Sequence, residues 1–269
     1  MFTDAFRTTI FEPSAFTTGG TVSLDADAVA YNAALTTPLT SGRLALVSTL
    51  IAALKTGTNP WARLDRLHLF AMETSEAALR GIRNPTKVAT FQGTSPTFTT
   101  DRGFTGNGTD SYVDFGEGWA AAGNLYALDS AAVGFVVNAQ TDTTSRNVVG
   151  ADAGLNTQLQ VRATAGNTTF RVNTNANGTL ATNPGTKLGH WAASRRDSAN
   201  MYGYKDGSLI ASVAQVSSSI ASGNVTLLRA TTTYDNSRVS AFWWGAGMTD
   251  AQMAQIHSAL AAYLAAVGA

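Results

Sequence analysis

The chain contains no cysteine, only four glutamates, and few charges of either sign. Without cysteine there is no disulfide framework, no thiolate metal site and no cysteine nucleophile. Charged residues make up 13% of the sequence, roughly half of the ~25% typical of soluble domains. Eighteen basic residues are balanced by eighteen acidic ones. A protein that binds nucleic acid by neutralising phosphates carries an excess of Lys and Arg, so that class is not expected. No apolar run approaches the ~18 residues of a membrane-spanning helix. The first residues, MFTDAFRTTIFEPSAF, place Asp4 and Glu12 where a secretory signal would carry its apolar core, so no such signal is expected. What remains is 269 residues, 44% of them hydrophobic. That is enough for a sizeable core, with Thr, Ser, Asn and Gly in place of the missing charge.

Three regions read differently. Residues 1–24 are rich in Thr and Phe without a helical period, which predicts an extended arm able to join neighbouring subunits. Residues 25–87 form a helical lead-in expected to pack on the rest. Asp25 can cap a short helix running to Leu35. Thr40 or Ser41 can cap a second helix, in which Leu44, Val47, Leu50, Ile51 and Leu54 share one face before Gly57 stops it. RLDRLHLF reads as a strand, and Ser75 to Arg80 as a short helical piece.

From residue 88 to 269 the text is nearly all β, with turn signals about every 8 to 12 residues, as in a sandwich or barrel. Asp206-Gly207 between MYGYK and SLIASV predicts a type I′ hairpin, and Asn177-Gly178 a weaker second one. In SAFWWG, strand alternation sends Trp243 to one face and Phe242 and Trp244 to the other. One face is expected to meet the sandwich core and the other to lie under the terminal helix. That helix, 249–267, has a full start signal: Thr249 as cap, Gln252 three residues on, and Met248 and Met253 as a hydrophobic staple.

Several of these runs carry a resemblance. GFTGNGTDSYVDFG, AAVGFVVNA, GHWAASRRDSANMYGYKDGSLIASV and RVSAFWWGAGMTDAQMAQIHSALAAYL resemble, in that order, the strands and closing helix of the concanavalin A-like lectin/glucanase, or laminin-G-like, domains. The resemblance covers roughly 95 to 269. It implies a mostly β fold, an antiparallel jelly-roll sandwich with the N-terminal arm, the helical lead-in and a C-terminal helix. DADAVAYNAALTTPLTSGRLALVSTLIAALKTG followed by PWARLDRLHLFA resembles the front part of tailed-bacteriophage virion structural proteins. That second likeness implies a non-enzymatic virion surface protein, a head or tail decoration, fibre or spike, assembled in the host cytoplasm. Its arm and lead-in would contact other virion proteins, and it would be a homo-oligomer without nucleic acid or membrane insertion.

The alternative within this fold is a glycoside hydrolase or depolymerase, which needs two carboxylates about 5 to 9.5 Å apart. Glu12, Glu73, Glu76 and Glu117 form no Glu-x-Asp-x-Glu arrangement. Asp25 and Asp27 read as helix N-terminal acids, and Asp114 and Glu117 as a solvated turn. No catalytic residue is assigned. His68, His190 and His257 lack zinc-type spacing and read as packed or surface histidines. Calcium is the one cofactor considered, because the resemblance implies an occasional rim site; Asp110, Asp152 and Asp235 are the candidates. Host-surface polysaccharide is the partner that a lectin-like sandwich implies. Stacking on a sugar ring needs exposed aromatics beside groups that bond hydroxyls. Trp119, Tyr126, Tyr204 and Tyr234, with Asp235 and Asn236, sit on or beside predicted loops and are the candidate ligand-binding residues.

Overall fold

The structure, a computed structural model, describes residues 23–140, 146–161, 167–182 and 184–269. Most of the expected arm, residues 1–22, lies outside the described residues. Four helices are described: α1 (Ala26–Ala33), α2 (Ser41–Lys55), α3 (Ser75–Leu79) and α4 (Asp250–Val267). The first half of the β structure comprises β1 (Leu64–Leu69), β2 (Thr90–Gln92), β3 (Thr97–Thr99), β4 (Gly103–Thr105), β5 (Tyr112–Gly118), β6 (Ala131–Ala139), β7 (Arg146–Ala151) and β8 (Gln158–Val161). Then follow β9 (Asn167–Arg171), β10 (Gly178–Thr182), β11 (Gly189–Arg195), β12 (Asn200–Lys205), β13 (Ser208–Ala214) and β14 (Asn224–Leu227). The short β15 (Arg229–Ala230) and β16 (Thr233–Tyr234) and the long β17 (Arg238–Gly245) complete it.

Apart from the two-stranded β15–β16 hairpin, the strands form two antiparallel sheets, a jelly-roll sandwich with the C-terminal helix packed on it. The first runs β13-β12-β11-β6-β17-β4-β3, and β1 also pairs with β17. The second runs β10-β9-β8-β7-β14-β5-β2. Rings from both sheets meet between them. Phe115 of β5 packs against Phe242 and Trp244 of β17, and Phe170 of β9 against Phe135 and Trp191.

Trp243 points the other way, as the alternation of SAFWWG predicts. Its indole N–H donates to His190 Nε2 at 3.1 Å, and His190 stacks on His257 of α4. Across the strand pair, Gly134 of β6 faces Trp243, where a Cβ would stand 2.4 Å from the indole ring. Only glycine leaves room for the tryptophan.

The local signals at the helix ends explain where each begins. Asp25 accepts from the Asp27 N–H, Thr40 from Arg43 and Thr249 from Gln252, whose side chain reciprocates as a full capping box. Helix α1 ends at Ala33, two residues before the expected Leu35, and Leu39 N–H is taken up by the Asn32 side chain. The Asp206-Gly207 turn has positive φ at both residues (49° and 77°) and joins β12 to β13. The Asn177-Gly178 pair departs from its prediction: β9 and β10 pair, but through a longer loop, 172–177, in which Asn177 accepts from Arg171.

The lead-in is more than a layer laid on a finished sandwich. β1 runs beside β17 from Leu64 opposite Gly245 to Leu69 opposite Ala241, so it belongs to the first sheet. All six of its residues are buried, because the core lies on one face and the helices on the other. Among the described residues no helix is long and apolar enough to cross a membrane.

Candidate functional site: the open face of the second sheet

Alternation along the second sheet decides which side chains face outward. On β5, Val113, Phe115 and Glu117 turn inward, while Tyr112 and Asp114 turn out. Register carries that face sideways. Tyr112 lies opposite Gln92, Asp114 opposite Thr90 and Thr226, and Gln158 and Gln160 opposite Arg171 and Thr169. The β15–β16 hairpin buries Thr226, and the remainder is a surface of Thr, Gln, Asn and Arg with few apolar atoms. The Thr, Gln and Asn side chains among them bond hydroxyl groups without a charge to desolvate, and Arg171, Arg229 and Asp114 add charged partners.

One part of this face is aromatic. After β14 the chain turns through Leu228, at φ 66°, into the small β15–β16 hairpin. The hairpin folds onto β7, where a Cβ on Gly150 would stand 2.2 Å from the Ala230 methyl carbon. Arg229 is thereby laid over the Tyr112 ring at 4.3 Å and beside the Tyr234 ring at 5.7 Å, and the two rings are 6.1 Å apart. Its Nε donates to the Thr231 carbonyl, which fixes the guanidinium in place. All three side chains are half-buried. Asp114 shares the outward side of β5 with Tyr112 and accepts from Gly116 N–H and the Asn224 amide. This Tyr–Arg–Tyr group can stack on a flat apolar ring face and bond its polar edge.

Of the residues singled out from sequence, Tyr234 belongs to this group and Asn236 lies half-buried two residues on. The other aromatics do not reach it. Trp119 is fully buried, tilted against Tyr126 and edge-to-face with Trp244. Tyr126 is buried too, its hydroxyl bonded to Thr157 and Asn173. The single connection from β5 to β6, which carries both residues, folds inward onto the core. Tyr204 is a β12 residue rather than a loop residue, buried with its hydroxyl donating to Asp250 at 2.7 Å. None of these three offers a ring to a ligand. Asp235 is fully buried against Lys187, so it cannot meet a sugar hydroxyl either. Tyr112 and Arg229 were missed. The alternation of SYVDFG does signal Tyr112, whereas nothing local signals Arg229, which depends on the hairpin's fold-back.

The calcium candidates stay apart. Asp110 accepts from Asn107 and Thr94, which hold its carboxyl below the ordinary carboxylate range. Asp152 is half-buried at the end of β7, and Asp235 holds Lys187. Among the described residues no three His, Asp or Glu side chains converge as a metal set.

The acids relevant to hydrolysis have other work. Glu117 does not lie in a solvated turn: it is buried in β5, 2.5 Å from Arg66 Nε and 3.0 Å from Lys87 Nζ. Burial raises the Asp65 carboxyl, as a general acid would require, but both its oxygens accept backbone N–H groups, from Leu125 and Tyr126. Asp65 thus anchors a loop. A cavity of about 230 Å³ beside it is lined by Arg66, Arg83 and Asn84, without Glu117. Asp25 and Asp27 share Lys55 at 2.7 Å each, and Glu73 and Glu76 accept from Thr40 and Thr36.

No protein-family model matches the chain, and no curated protein does. Its fold is shared with solved structures. The receptor binding domain of botulinum neurotoxin C/D mosaic serotype superposes with a TM-score of 0.55 at 9% identity, over 74% of this chain and 51% of that one. The botulinum neurotoxin serotype D binding domain gives 0.52 at 11%, over 74% and 52%. A mutant of Trypanosoma rangeli sialidase displaying trans-sialidase activity gives 0.52 at 12%, over 83% and 40%. The chain therefore spans about half the length of these proteins or less. Likeness at such identity establishes the sandwich, which binding domains and an enzyme both use.

Proposed function

We propose that this chain is a non-catalytic, lectin-like binding module that recognises glycan through the outer face of its second sheet. The observation that carries the reading is the Tyr112–Arg229–Tyr234 group, held half-exposed on a polar sheet face that, among the described residues, no helix packs along. Sugar recognition needs what this face offers: rings to stack on and hydrogen-bonding groups around them. The resemblance of the lead-in to phage virion proteins supplies the setting. The module is displayed on a tailed-phage virion, and residues 1–24 with the helical lead-in bind neighbouring virion proteins or copies of the chain.

A glycan array probed with the multivalent protein tests the binding. Wild type binds a restricted set of glycans, and Tyr112→Ala or Tyr234→Ala lowers that binding at least tenfold while the fold persists. No binding by wild type under multivalent display sinks the glycan reading; binding that survives both substitutions moves the site elsewhere. Purified particles lacking the chain by mass spectrometry would remove the virion setting.

A further inference from the structure

Lys187 and Asp235 are both fully buried, and their charged groups meet inside the protein, Nζ 3.3 Å from Oδ2. Neither belongs to the open face or to any role assigned above. Lys187 precedes β11 and Asp235 precedes β17, so each lies where the chain enters the first sheet. Their backbones are pinned. Lys187 N–H donates to Gln140 Oε1 at 2.6 Å and its carbonyl accepts from the Trp191 indole at 2.8 Å. Asp235 N–H donates to the Leu228 carbonyl at 2.8 Å, and its own carbonyl sits so close to Gly106 that a Cβ there would be 2.1 Å away.

We propose that Lys187 and Asp235 are the two halves of an intramolecular isopeptide cross-link. An amine held near 3 Å from a carboxyl group, with both ends immobile, is in the range where orientation replaces the entropy cost of encounter. Both groups are buried from bulk solvent, whose water would hydrate the ion pair and oppose condensation. A buried ion pair also gains little over a neutral replacement, because desolvation offsets its attraction.

The chemistry balances within the pair. The ammonium passes one proton to Oδ2, and the freed Nζ lone pair attacks Cγ. Oδ1 takes the developing negative charge, where the Ser237 N–H already donates at 2.6 Å, an oxyanion-hole arrangement. Nζ then gives a second proton to Oδ2, and the C–Oδ2 bond breaks. One N–C bond forms, one C–O bond breaks and one water leaves; nothing is oxidised or reduced. In a chain without cysteine the bond would tie together two sheet-crossing connections, indifferent to the redox state of its surroundings.

Intact mass spectrometry of the folded full-length protein, denatured just before measurement, tests this. The expected mass is about 18 Da, one water, below that of the sequence. Digestion should yield a branched peptide joining Lys187 to Asp235, with no tryptic cleavage after Lys187. Asp235→Ala should restore the full mass. Should that variant fail to fold, Lys187→Arg keeps the positive charge, cannot condense, and should also show the full mass. Wild type at the full mass overturns the proposal. So does a water loss that maps to Asp206-Gly207, where succinimide formation would mimic it.

Discussion

The two sheets differ most on their outer faces. The first is roofed. Trp243 and His190 look outward from it and are covered by α4, while α2 packs along α4 and α1 along α2. Among the described residues the second carries no helix, and its aromatics are held by Arg229 and a two-stranded hairpin rather than by a roof. Both faces carry tryptophan or tyrosine at outward positions. What separates them is what the chain lays over each. Aromatic residues under a roof are stability, and aromatic residues beside solvent are available for recognition.

The comparison breaks hardest at Trp243. Trp243→Ala removes a fully buried indole and leaves a hole between sheet and helix, which should cost about 3–5 kcal/mol. Gly134→Ala attacks the same contact from the other side and should cost about 1–3 kcal/mol by overpacking. Chemical denaturation of each variant measures both. Equality of either variant with wild type would mean that the roof is loose.

Acid adds a second probe, because His190 lies beneath the roof whereas His68 of β1 packs in the core against Phe115. Burial lowers the imidazoles of His68 and His190 to about 3. His190 Nε2 also accepts from Trp243, a bond that protonation at that nitrogen would break. The unfolded chain takes up these protons near pH 6.5, and the folded one only near pH 3. Between those values the unfolded state binds more protons, so stability falls as the pH drops. Each histidine should remove about 1.4 kcal/mol per pH unit across that window, or about 2 kcal/mol by pH 5. His190→Gln should roughly halve the slope in a series of unfolding curves from pH 7 to 5. An unchanged slope would place the acid sensitivity elsewhere.

Periodicity and turn chemistry made much of this architecture readable. The alternation of SAFWWG separated Trp243 from its neighbours, Asp-Gly marked a hairpin, and Thr249 with Gln252 marked a helix start. These signals are local, so neighbouring residues suffice to express them. The site was less legible for a physical reason. Trp119 and Tyr126 lie in a stretch that looks like a loop, and whether a loop aromatic turns out or folds in to close a core depends on the far sheet. Glu117 looked like a turn residue because its partner Arg66 is 51 positions away. Arg229 gains meaning only when Gly150 lets the hairpin settle on β7. Alternation tells which face a residue occupies; it does not tell what covers that face.

The smallest expected effect on stability is therefore the most telling one. Tyr112→Ala deletes an aromatic ring from an outward strand position, as Trp243→Ala does, but from the open face. The ring is half-buried and its main contacts are Arg229 and Tyr234. A partly exposed cation–π contact is worth about 0.5–1 kcal/mol, so the loss should be about 1 kcal/mol or less, and the unfolding midpoint should move little. If the same variant costs as much as the Trp243 substitution, the second face is packed rather than open. A small cost with unchanged folding is the behaviour of a residue kept for contact with something outside the fold.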